Sequence, residues 1–185
     1  MKVLYPVKKR HSFKENAVEI LPMMFDNMMK YRDSVVDHPR IKSLLHRMRI
    51  TGKPMRYIME IMEPIFGREF SKCLHEIKNI IELMGEIHDC DVFIVELKEY
   101  LSEFREYNRA KKDKIGRLAT SGVSMLINEL RNKRNNDFQT LSKTLDYWES
   151  ERFRNKLIQS MSSDKTNEID YFRSVDKLKT GKNRK

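Results

Sequence analysis

Glycine, proline and cysteine are scarce in this chain of 185 residues: six, five and two. So few helix breakers favour long regular elements over a loop-rich fold. The cysteines, Cys73 and Cys90, fall in one predicted helix. They would stand about 25 Å apart along it, too far to bridge. A disulfide framework is excluded, and a reducing cytoplasm is the expected compartment. No apolar run approaches the roughly 20 residues of a membrane span. The start, MKVLYPVKKRH, lacks the apolar core of a signal peptide. There is no Gly-rich phosphate loop, no HExxH, no nucleophile elbow and no Glu-x-x-His pairing of the di-iron type. A non-catalytic protein without cofactor or metal is therefore expected. Strand-like alternation and internal repeats are also missing, which leaves an all-α fold.

Charge is what the chain has in quantity. Charged residues make up 35% and hydrophobic ones 39%, enough for one ordinary domain. Lys and Arg outnumber Asp and Glu by 37 to 27, for a net charge of +10. That balance suits an anionic partner: nucleic acid, polyphosphate or an acidic membrane surface.

Taken in order, Ser12-Phe13-Lys14-Glu15 reads as a capping box opening a first helix. Phe13, Ala17, Ile20, Met24, Met28, Tyr31 and Val35 mark its buried side. Pro22 is expected to kink that helix or delay its start. A second helix is expected from Pro39 toward Phe66, with a bend at Gly52 and Pro54, and Pro64 to Arg68 forms a turn capped by Gly67. A third runs from about Glu69 to Tyr107, with Leu74, Ile77, Ile81, His88, Val92 and Val95 on one line. Asn108 to Lys114 reads as a basic connection. A fourth starts near Thr120 or Ser121, with Val123, Ile127, Leu130, Arg134, Phe138, Leu141, Leu145 and Trp148 as its core line. A short last helix carries Phe153, Leu157 and Met161. The bundle is taken as residues 1–161. Residues 162–185 are read as a basic, flexible tail.

The second helix holds the strongest candidate site. Lys42, His46, Arg49, Lys53 and Arg56 follow one another at gaps of 4, 3, 4 and 3. On a helix they share a sector of roughly 80°. Leu44, Met48, Met55, Met59 and Met62 fall on another face. Like charges at such spacing cost roughly 0.2–0.5 kcal/mol per step, so something negative should offset them. Two candidates do so. One is a facing acidic helix, with Glu82, Glu86 and Asp89 at gaps of 4 and 3. The other is an extended polyanion, whose oxygens need cationic donors in series.

His46 is either a phosphate donor that strengthens as pH falls or a neutral histidine satisfied by a neighbour. His88, inside an apolar line, reads as a buried histidine bonded to the second helix. Arg134 interrupts an apolar line, so it needs a buried carboxylate or a route to the anion groove. Tyr57 is expected to pack its ring and offer its hydroxyl to a neighbour.

Two stretches resemble the CHAD family, the conserved histidine α-helical domain. HRMRITGKPMRY carries His46, Arg49, Lys53, Arg56 and Tyr57 at the family's spacing. Met84-Gly85-Glu86-Ile87-His88-Asp89-Cys90-Asp91-Val92 is similar to the signature of its next helix. Pro54 stands where the family often has another basic residue. The resemblance, best in the second and third helices, spans roughly Ala17 to Met161. It implies an antiparallel four-helix bundle with long helices and a short C-terminal helix, whose basic surface binds inorganic polyphosphate. Lys42, His46, Arg49, Lys53, Arg56 and Arg134 would then be the polyphosphate-binding donors, with Tyr57 and His88 in structural roles. Family members usually hold two such repeats across a basic channel. This chain shows one, so a symmetric homodimer is expected to complete the channel. A nucleic-acid-binding helical protein is the first alternative, but there is no aromatic ladder and no helix-turn-helix. A scaffold for acidic protein or granule surfaces is the second.

Overall fold

The structure is a computed structural model, and it describes residues 5–111 and 119–162. Among these residues all regular structure is helical. The elements are α1 (Phe13–Met29), α2 (Arg32–Asp37), α3 (Lys42–Phe66), α4 (Arg68–Ala110), α5 (Ser121–Ser150) and α6 (Phe153–Ser162). The predicted tail lies outside the described residues from position 163 onward, as does the connection at positions 112–118.

The capping box forms. The Ser12 hydroxyl accepts from the Glu15 amide at 3.2 Å, and the Ser12 amide donates to the Glu15 carboxylate at 2.6 Å. Pro22 sits buried inside α1 and does not delay its start. The expected first helix is two. At its break the Tyr31 amide donates back three residues to Met28, at 3.2 Å, and the tightened turn ends α1. Val35 is still buried, from α2. Phe13 is exposed, contrary to expectation. Lys14 turns inward instead, its ammonium 5.7 Å from the centre of the Phe66 ring.

Helix α3 starts at Lys42, three residues later than Pro39 suggested. The Pro39 carbonyl, ahead of the helix, accepts from the Arg134 guanidinium. From Lys42 the helix is unbroken through Gly52, Pro54 and Pro64. It ends at Gly67, whose φ of 78° is the conformation glycine adopts without a Cβ clash. The buried face is Leu45, Met48, Gly52, Met55, Met59, Met62 and Phe66, with Leu44 only half-buried at its edge. Gly52 marks the closest approach of three helices. A Cβ there would lie 2.5 Å from Ile81 Cδ1 on α4 and 2.6 Å from Met28 Sδ on α1.

Helix α3 packs between α1 and α4, and α4 packs between α3 and α5. Residue numbers rise along α3 as they fall along α4: Lys42 meets Asp91, Arg56 meets Glu82 and Glu60 meets Lys78. Helix α6 closes against α1, α4 and α5. There Trp148 stacks on Phe153 at 4.5 Å, Phe25 packs on both rings, and Arg154 grips Asp26 through two bonds of 2.7 and 3.0 Å.

Helix α4 has 43 residues and α3 has 25, about 65 Å against about 38 Å. Beyond Asp91, α4 outruns α3 and, among the described residues, packs against α5. There Ile94, Leu101 and Ile127 form a separate small apolar cluster. This length difference corrects the expected line on α4. Leu74, Ile77 and Ile81 are buried as expected, but Val92 and Val95 are exposed, because the side that met α3 has lost its cover, and His88, opposite His46 near the start of α3, is only half-buried. Met84, Ile87, Cys90 and Ile94 carry the burial onward instead.

Gly52→Leu should lower stability by about 1–3 kcal/mol, since a branched side chain must push apart three packed helices. The midpoint of urea unfolding measures it.

Candidate functional site

The turn pattern of α3 sets its cations on the flank beside its buried methionine face, at the seam with α4. Lys42 and His46 are exposed; Arg49, Lys53 and Arg56 are half-buried. Arg49, Lys53 and Arg56 line one side of a groove of about 380 Å³, and Ile81, Glu82, Gly85, Glu86 and Asp89 of α4 line the other. Gly85 is the floor under Arg49: a Cβ there would lie 3.2 Å from Arg49 Nη2 and 3.4 Å from Nε. The close approach at this glycine is made by an arginine side chain. Arg49 Nε is buried and, among the described residues, donates to nothing.

Of the two offsets expected for the stripe, the facing acidic helix is in place, with Glu82, Glu86 and Asp89 on the opposite side. Part of the stripe is an intramolecular seam. Arg56 Nε bonds Glu60 at 3.1 Å and its Nη1 stands 3.7 Å from Glu82. Burial pushes the Glu60 carboxyl up, but Arg56 and Lys78 together hold it below the usual carboxylate range. Lys42 donates to the Asp91 carbonyl at 2.9 Å, with the carboxylate at 3.9 Å. Glu86 is taken by Lys133 of α5 at 2.6 Å, and Lys133 also meets Asp137 at 2.6 Å. Bonds to Asp137 and Glu86 hold that ammonium well above its ordinary range. His46, Arg49 and Lys53 are the part left over. None of them has an acidic partner within ion-pair distance among the described residues.

Arg134 is not on the wall of this groove. Its side chain is 12% exposed, and its Nε bonds Asp91 Oδ1 at 3.0 Å while Nη2 holds the Pro39 carbonyl. Of the two fates its sequence position demanded, the structure supplies the buried carboxylate: the Asp91 side chain is 8% exposed. Asp91 therefore joins α3, α4, α5 and the turn before α3. Tyr57 is exposed, its ring 5.9 Å from the Arg56 guanidinium, and does not pack inward. His88 is only half-buried, and its ring faces that of His46 at 5.4 Å. Lys133 and Asp91 escaped sequence reasoning. Lys133 carried no signal, lying outside the apolar lines, whereas Arg134 in its apolar line called for a carboxylate such as Asp91. No group of three or more His, Cys, Asp or Glu among the described residues is placed to hold a metal ion. No described helix is long and apolar enough to cross a membrane.

Asp91→Ala should destabilise the fold by about 3–5 kcal/mol, because it strands the buried Arg134 guanidinium. Adding Arg134→Met should return much of that loss. Chemical denaturation of the two single variants and the double one measures the coupling.

A family model of the CHAD domain matches residues 7–98. The match takes in α1, α2, α3 and α4 as far as Lys98. It stops short of α5 and α6, and so of Arg134, where the resemblance was expected to reach Met161. No curated protein and no solved structure matches the chain. The matched segment carries the whole α3 stripe and the Gly85–Asp91 face opposite it, and by it the chain belongs to the CHAD family.

Proposed function

We propose that this chain binds inorganic polyphosphate, without turning it over, in the groove between α3 and α4. The observation that carries this reading is the trio His46, Arg49 and Lys53, aligned on one flank with no acidic partner among the described residues. Arg49 adds a buried N–H that lacks an acceptor among the described residues. Placing such groups side by side costs free energy unless a ligand supplies negative charge. A phosphate polymer supplies it at intervals. Arg49 and Arg56 offer planar forks to phosphate oxygens, and Lys53 offers a point charge between them. The acidic residues opposite are partly quieted already, Glu86 by Lys133 and Glu82 by Arg56, so the polymer lies against the α3 side.

In this reading α1, α3, α4 and α5 form the antiparallel four-helix bundle, and Arg134 supports the groove by anchoring Asp91. A second copy of the chain provides the other wall of a channel, as a two-fold homodimer. The buried free thiols Cys73 and Cys90 suit a reducing cytoplasm. Nucleic acid is the weaker reading, since the groove presents no row of aromatics for a single strand and no recognition helix for a duplex.

Arg49→Glu with Arg56→Glu should abolish binding of long-chain polyphosphate in a calorimetric titration, while far-ultraviolet circular dichroism stays that of the parent. If the double variant unfolds, the stripe is a structural seam and the proposal falls. A preference for duplex DNA over polyphosphate at equal phosphate and moderate salt would also sink it. Salt dependence alone separates nothing, because both polyanions release counterions. Light scattering should give twice the chain mass.

A further inference from the structure

Beside the groove lies a second cleft, of about 490 Å³, where α3 begins and α4 runs on past it. It differs in chemistry from its neighbour. Val92 and Val95 of α4 form apolar walls, left exposed where α3 no longer covers them. The imidazoles of His46 and His88 stand 5.4 Å apart at 38°, giving two more flat surfaces. Asp91 lines the same cleft. Its Oδ1 is engaged by Arg134, but its Oδ2 is buried and has no donor among the described residues. An unsatisfied buried acceptor is costly, so it favours a neighbour that carries an N–H.

Polyphosphate cannot meet these features. It has no apolar face and, when ionised, no hydrogen to donate, and the carboxylates of Asp91 and Glu96 in the cleft would repel it. A nucleobase can: its faces are apolar and stack on imidazole or aliphatic surfaces, and its edge carries ring or exocyclic N–H groups. The position relative to the stripe also fits. From His46, Arg49 lies about 5 Å and Lys53 about 10 Å further along the helix axis. That is the interval a ribose spans between a base and its first phosphates.

We propose that this cleft seats the base of a nucleoside polyphosphate whose phosphates run along Arg49, Lys53 and Arg56. The inference rests on the anion-binding reading of the groove and adds a specificity to it: a phosphate chain capped by a base is preferred to a bare one. The base donates toward Asp91 and lies on Val92, Val95 and the two imidazoles. An amino-bearing purine suits the cleft by its surface and by its donors.

The test is calorimetric titration of the full chain with guanosine triphosphate, adenosine triphosphate and inorganic triphosphate, at the same salt and without divalent cations. At least one nucleotide should bind about tenfold tighter than inorganic triphosphate, the worth of one stacked base. Val95→Trp fills the cleft from an exposed position. It should bring the nucleotide down to the inorganic level and leave long-chain polyphosphate binding as it was. Val92→Asp should do the same by placing a charge on the apolar wall, and serves if the tryptophan variant does not fold. Equal affinities for nucleotide and inorganic triphosphate in the parent chain overturn the inference, and so does a preference that survives both substitutions. A parent that binds long polyphosphate without nucleotide preference removes only the base site. One that binds no phosphate chain at all removes the groove reading with it.

Discussion

The methionine face of α3 must be buried on two sides at once, against α1 and against α4. Met48, Met55, Met59 and Met62 are fully enclosed, and Gly52 lets the backbone itself enter the contact. Once that face is committed, the rotation of α3 about its axis is no longer free. The cations lie at a fixed angle from the methionines, so they must fall at the seam with α4. The site is thus a consequence of core packing and not a separate construction. Unbranched methionine suits the task, because it fills irregular space between helices that meet at a glycine.

The second constraint is the disparity in length between α3 and α4. Where both are present, α4 offers Glu82, Glu86 and Asp89 to the seam, and part of the positive charge is met inside the protein. Where α3 has not yet begun, α4 keeps α5 beside it among the described residues, and its α3-facing side turns to solvent as Val92 and Val95. The junction of the two regimes is Asp91. One carboxylate there ties Lys42, Arg134 and, through Arg134, the Pro39 turn. A polar anchor in that position fixes where α3 starts, and so fixes the end of the groove. A buried charge of this kind gives little net stability, but removing either partner leaves the other stranded.

A groove with one cationic wall and one acidic wall is more selective than a uniformly basic surface. In the proposed reading, long-range attraction would draw a polyanion, while the carboxylates opposite would penalise a bulky or misplaced one. Lys133, reaching across from α5 to Glu86, adjusts that penalty without touching the groove floor. Arg49 is held against Gly85, and its Nε–H has no acceptor among the described residues. Its side chain is held in place, so in the proposed reading little rotamer freedom would be lost on binding an anion.

Much of this was legible in the residues. The gaps of 4, 3, 4 and 3 placed five basic groups on one flank of a helix whatever that helix packed against, because local periodicity alone decides which side chains share a face. The capping box at Ser12 and Glu15, the stop at Gly67, the core line of α5 through Leu141, Leu145 and Trp148, and the need of Arg134 for a counter-charge follow from equally local rules. Other matters depended on contacts distant in the chain. The break at Tyr31, the late start of α3, the exposure of Val92 and Val95 and the release of His88 from the core were set by which helix lies alongside and where it ends. Periodicity gives the phase of a face but not the length of its cover. For the same reason only tertiary structure decided which cations on the stripe meet an acid and which stand without one.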